Sequence, residues 1–147
     1  MQTNLPLVYQ GIPLIATLPP NRMRTIFLFG NPDLPCDALP MRLLPQLAQR
    51  FPKVQFRIAD PNELDIPEGD CSLTAIDTVE GLREPREISV GEIAEVYTRA
   101  TTHDFDFALF ILLARKLNPG LQIRILGIPM GCPEESALAA AIKFLES

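Results

Sequence analysis

The chain has no tryptophan, two tyrosines and a single histidine, His103, so imidazole chemistry has one possible location. Its three cysteines, Cys36, Cys71 and Cys132, are far apart and form no Cys-x-x-Cys pair. That spacing excludes a disulfide framework and a structural zinc cluster and fits a reducing cytoplasm. Lys and Arg are not clustered, and 13 of them against 18 acidic residues leave a net charge of -5. Nucleic acid and anionic membrane surfaces are therefore poor partners. The longest apolar run, residues 107–114, falls well short of the roughly 20 residues that span a bilayer, and the start of the chain has no basic, apolar and small-residue leader pattern. A soluble protein is expected. Gly-x-Gly-x-x-Gly and Gly-x-Ser-x-Gly are both missing, which argues against dinucleotide binding and against a serine nucleophile on a strand-to-helix elbow.

What is present is one domain's worth of core: 147 residues, 47% of them apolar. Residues 1–22 carry Pro6, Pro13, Pro19 and Pro20 and read as an added arm, whose Leu7-Val8-Tyr9 and Leu14-Ile15 pieces suit short edge strands. Residues 23–147 form the domain. Thr25-Ile26-Phe27-Leu28-Phe29 reads as a buried strand stopped by Gly30-Asn31-Pro32. Apolar residues at helical spacing predict a helix over 38–50, with Pro40 tolerated in its first turn and Pro45 a possible bend. Residues 54–58 and 73–76 read as strands, 81–85 as a turn, 88–90 as a short strand and 92–98 as a brief helix. A strongly apolar, largely buried helix is expected over 105–117, capped by Thr101 or Thr102 and stopped by Asn118-Pro119-Gly120. A strand over 121–127 and a closing helix over 134–145 complete the chain. This order predicts an α/β fold: a single three-layer domain, a mainly parallel twisted sheet with helices on both faces and its site at the carboxyl ends of the strands.

Three groups able to bind a divalent metal or move protons follow separate strand-like or loop segments: Asp37, Asp77 and His103. Two carboxylates and an imidazole suit a borderline ion such as nickel or zinc, and three protein ligands leave positions open for water or a substrate carbonyl. A metal held there would polarise a scissile carbonyl and acidify a bound water, while a free carboxylate accepts its proton. Blander roles exist for each: Asp37 as a helix cap, Asp77 as a turn former, His103 as a surface residue. Gly30 and Asn31 read as loop builders, Asp104 and Asp106 as complements to the helix dipole, Phe105, Phe107 and Phe110 as core, and Glu80 as a solvated turn residue. Cys36, beside Asp37, is open to a metal-binding, nucleophilic or merely packing role.

The motifs carry a resemblance. Phe29-Gly30-Asn31 followed after five residues by Asp37, then Ile76-Asp77-Thr78-Val79-Glu80-Gly81, Thr101-Thr102-His103 and Leu126-Gly127-Ile128-Pro129 stand in the order and approximate spacing of the nickel-iron hydrogenase maturation endopeptidases. The stretch through Ile93-Ala94-Glu95 resembles most the branch that processes formate-hydrogenlyase-type hydrogenases. The resemblance implies a nickel-dependent endopeptidase of the aspartic-type grouping. It would remove a C-terminal peptide from the large-subunit precursor once nickel is in place, with the substrate supplying the nickel and no organic cofactor. It implies Asp37, Asp77 and His103 as catalytic and metal-contacting residues in a cytoplasmic monomer. The chain departs from the family at Cys36, where a second acid is common, and at Pro40, in place of a glycine. The rival readings are a non-catalytic relative that binds the nickel-loaded precursor and a thiol hydrolase built on Cys36 and His103.

Overall fold

The computed structural model describes residues 24–62, 72–97 and 102–147, the last stretch with side chains from residue 106 onward. The expected arm, with its two edge-strand pieces, Cys71 and the cap at Thr101 lie outside the described residues.

Five strands form one sheet in the order β2-β1-β3-β5-β4. They are β1 (Arg24–Leu28), β2 (Val54–Ile58), β3 (Ser72–Val79), β4 (Arg86–Ile88) and β5 (Gln122–Pro129). The first three and β5 run parallel, with Leu28 opposite Ile76 and Asp77 opposite Gly127, and β4 closes one edge antiparallel to β5. β3 sits at the centre and is buried from Leu73 to its end, as a parallel strand covered on both faces must be. Each of β1, β3 and β5 begins on an exposed polar residue and becomes buried toward its carboxyl end. The deepest part of the sheet is thus the end at which parallel α/β sheets hold their sites.

Four α-helices cover the sheet among the described residues: α1 (Leu39–Arg50), α2 (Ile93–Tyr97), α3 (Thr102–Leu117) and α4 (Glu134–Glu146). On one face Leu39, Leu43 and Leu47 of α1 and Ala137, Ala141, Phe144 and Leu145 of α4 pack with Ile26, Leu28, Ile76 and Ile128. On the other, Ile93 and Tyr97 of α2 and Phe107, Ile111 and Ala114 of α3 pack with Phe27, Phe29, Ala75, Val79 and Ile125. The odd and even residues of β3 divide between these two cores, the period-two alternation that a three-layer domain requires. Pro40 lies in the first turn of α1, where its missing N–H costs nothing, and the helix continues through the exposed Pro45.

The structure corrects three expectations. β3 does not close at Asp77 but runs on to Val79, so Asp77 is a buried strand residue and not a turn former. The short strand falls on Arg86–Ile88 instead of 88–90, because the N–H and hydroxyl of Ser89 both donate to Glu92 Oε2 at 3.0 Å and start a 3-10 turn there. The largest difference is in α3. It begins at Thr102, and its outer side exposes Leu109 (54%), Leu112 (40%), Leu113 (47%) and Leu117 (67%). A helix in an outer layer turns only one stripe to the sheet, and the remaining leucines find no described neighbour to cover them.

Candidate functional site

At the end of β1 the Phe29 N–H still reaches the Ile76 carbonyl (2.9 Å), and the chain then leaves the sheet at Gly30. Gly30 has φ +149, and a Cβ there would collide with the Asp37 carbonyl oxygen. Glycine is therefore required for the loop to fold back over its own start. The return is made by a ladder of local bonds. Asn31 Oδ1 accepts from the Asp33 N–H (2.9 Å), and the Asn31 carbonyl accepts from Leu34 N–H (3.1 Å). The Leu34 carbonyl accepts from Asp37 N–H (2.9 Å), in a 3-10 turn over Pro35–Asp37. Arg42, one turn into α1, donates to the Pro35 carbonyl at 2.8 Å and ties the loop to the helix behind it.

This loop delivers Asp37 into the interior, 3% exposed. One carboxylate oxygen, Oδ2, accepts from the Asn31 N–H at 3.0 Å, and Oδ1 accepts from the Thr78 hydroxyl. Asp37 thus touches β3 one residue beyond Asp77. Asp77, also 3% exposed, has Oδ2 accepting from the Tyr97 hydroxyl at 3.3 Å. Strand alternation sends Thr78 toward the α1 and α4 face and Asp77 toward the α2 and α3 face. The two carboxylates accordingly meet the carboxyl end of β3 from its two sides. Opposite Asp77 on β5 stands Gly127, where a Cβ would come within 2.8 Å of Leu82 Cδ1 and closer to Ile88. That missing side chain lets Ile88 of β4 and Leu82 of the segment before it close over β5.

Beneath Asp77 an aromatic chain fixes the floor. Tyr97 lies 5.4 Å from Phe107, and Phe107 lies 4.7 Å from Phe29, all tilted contacts of the favourable kind. The end of β1, α2 and α3 are thereby locked together around one buried carboxylate. Phe107 and Phe110 are core, as their sequence pattern predicts.

His103 is the second residue of α3, but its side chain lies outside the described residues, as does that of Asp104. Among the described residues no group of three His, Cys, Asp or Glu side chains stands together as a metal-binding cluster. Asp37 and Asp77 are brought to the same strand end. The donor chemistry present, two carboxylates at one strand end, fits a hard or borderline divalent ion. Cys36, next to Asp37, is exposed, whereas Cys132 is partly covered and its thiol is pushed up by burial. Glu80 is an exposed turn residue as expected, and Asp106, the fifth residue of α3 and so past its first turn, accepts a 3.0 Å bond from Asn62 Nδ2.

The sequence reading missed Tyr97 and Thr78 as partners of the two acids. Thr78 had a signal, since a hydroxyl one residue beyond a strand carboxylate faces the opposite core and needs a partner there. Tyr97 had none, because only packing of α2 brings its hydroxyl to Asp77.

No family model matches the chain, and no curated protein does. The solved structures show the fold: a mainly parallel α/β domain of the kind found in hydrogenase maturation endopeptidases. The hydrogenase maturating endopeptidase HybD from E. coli matches with a TM-score of 0.61 at 16% identity, covering 84% of this chain and 93% of that one. A Hydrogenase 3 maturation protease matches with a TM-score of 0.52 at 22% identity, covering 84% of this chain and 89% of that one. At these identities the likeness establishes the fold and does not single out one branch.

Proposed function

We propose that this chain is a hydrogenase maturation endopeptidase, which removes a C-terminal peptide from the nickel-loaded large-subunit precursor of a nickel-iron hydrogenase. The observation that carries the reading is the burial of Asp37 and Asp77 at one end of β3, in a fold shared with proteins of that description. Burying a carboxylate is costly, and a fold that buries two at the end where α/β sheets bind ligands is built for more than stability.

In this reading nickel arrives as part of the substrate. Asp37, Asp77 and His103 are the residues that contact it, through carboxylate oxygens and an imidazole nitrogen. Thr78 and Tyr97 hold the two carboxylates in position, and the carboxylate less engaged at the ion accepts the proton of the attacking water. The protein acts in the cytoplasm as a monomer. Among its described residues no helix is long and apolar enough to cross a membrane.

The test is the mass of a nickel-loaded large subunit co-expressed with this chain, with Asp37→Asn, with Asp77→Asn or with His103→Ala. The wild type is expected to shorten the precursor and each folded variant to slow that processing by roughly a hundredfold or more, the scale of a lost general base or ligand. A precursor of unchanged mass beside the wild type, while still captured by it, would instead favour a silent binding relative. Processing that survives in all three variants but stops in Cys36→Ala would replace the reading with thiol chemistry.

A further inference from the structure

The leucines that α3 turns away from the sheet form a pattern. Leu109, Leu113 and Leu117 follow one another at four-residue spacing with Leu112 beside them, all exposed, whereas Phe107, Ile111 and Ala114 on the opposite side are core. Residues three and four apart on a helix are neighbours, so the four make one stripe and not scattered exposures. The exposed Lys116 shares that side, where a lysine keeps its ammonium in water and offers its stem to apolar surface.

A second copy of the chain is a poor cover for this stripe. It amounts to on the order of a few hundred Å², below the roughly 800 Å² that each partner of a stable pair buries, and two chains of net charge -5 repel one another. The stretch before β1 is a better one. Residues 1–22 hold a single charged side chain, Arg22, and carry Leu7-Val8-Tyr9, Ile12 and Leu14-Ile15. Such a composition gains free energy by burial and little from hydration. Pro6, Pro13, Pro19 and Pro20 interrupt any backbone ladder, which suits attachment through side chains to a helix face better than pairing with the outer edge of β2.

The point at which that stretch joins the sheet favours the same place. α3 leads into a tight turn, in which the Leu121 N–H donates to the Asn118 carbonyl at 3.0 Å, and β5 starts at Gln122. Leu117 therefore stands at the end of the sheet where its parallel strands begin. Thr74 pairs with Ile26 on one side and Arg124 on the other, so the starts of β1 and β5 lie level, two strand spacings or about 10 Å apart. Five residues, 19–23, span up to about 16 Å, enough to lead from Arg24 to the stripe. A tether that short holds a segment at an effective concentration in roughly the millimolar range.

We infer that residues 5–18 dock their apolar side chains on the Leu109, Leu112, Leu113 and Leu117 stripe of α3, so that the segment preceding β1 covers it. Docking of this kind does not depend on peptidase activity, and its test reads no catalysis.

Because the chain has no tryptophan, Tyr9→Trp and Ile15→Trp each place a single indole in one apolar piece of the segment, within the whole protein. At least one is expected to emit to the blue of free indole and to resist quenching by acrylamide. Adding Leu113→Glu with Leu117→Glu is expected to move that emission to the red and abolish the protection, while circular dichroism stays unchanged. Leu113→Gln with Leu117→Gln makes the same test without charges if the acidic pair does not fold. Ile58→Glu, at an exposed apolar residue of β2, is expected to leave the emission where it was. Indoles in water at both positions, or a buried indole that the α3 substitutions leave in place or that Ile58→Glu releases, would overturn the inference. So would a blue emission that reddens on dilution together with a sedimenting dimer, which gives the stripe to a second copy.

Discussion

Carboxylates are handled in opposite ways at two places on this molecule. At the β4 edge Glu87 and Glu92 lie at the surface, each gripped by an arginine, and the hydrogen bond from Arg124 holds Glu87 below its ordinary range while that from Arg86 holds Glu92 down to about 2. At the carboxyl end of β3 the acids are buried, and a peptide N–H and a hydroxyl hold Asp37 while a tyrosine hydroxyl holds Asp77. Exposed pairs of the first kind contribute little to stability, because water solvates the separated ions nearly as well. Buried acids of the second kind depend on every one of their donors. The difference separates acids that trim a surface from acids that the fold has been shaped to hold.

Four substitutions sharpen this contrast. The largest effect is expected from Gly30→Ala. A side chain there must displace the Asp37 carbonyl and adopt φ +149, so the variant should lose about 3 kcal/mol in denaturant unfolding. A loss below about 1 kcal/mol would mean that the loop has another way to carry Asp37 inward.

Next come the donors. Thr78→Val leaves Asp37 Oδ1 without its hydroxyl, and Tyr97→Phe removes a donor from Asp77, at about 1–3 kcal/mol each. If these are positioning residues, processing falls as well while Asp37 and Asp77 remain. If they only support the fold, activity per folded molecule stays level.

The smallest effect belongs to the surface pair. Since the folded pKa of Glu92 lies below the ordinary 4.5, its pairing with Arg86 stabilises the protein above about pH 4.5, and that contribution is lost as the pH falls toward 2. Glu92→Gln should flatten this part of the stability profile by no more than about 1 kcal/mol, because the pair is exposed to solvent. An acid-range change as large as that of Thr78→Val would dissolve the distinction between the two regions.

The elements were legible where pattern and local chemistry agree. The run from Thr25 to Phe29, the leucine spacing of α1, and the Asn118 to Gly120 stop before β5 all report local preferences that the tertiary structure does not overturn. Asp77 was misjudged as a strand end because Thr78 and Val79 look equally like the start of a turn before Glu80 and Gly81. Their burial and their pairing with Ile128 and Pro129 of β5 make them strand. The apolar content of α3 suggested a buried helix, but content does not say how many sides a neighbour covers, and its outer leucines are exposed.

The sequence by itself determined the α/β alternation, the glycine turn after β1 and the identity of the acids, because each rests on the intrinsic geometry of a few neighbouring residues. Only the tertiary structure decided that Asp37 meets Thr78 forty-one positions away and that Tyr97 caps Asp77. Those outcomes depend on how layers pack across the sheet, and hydrogen-bond partners chosen between layers leave no trace in local periodicity.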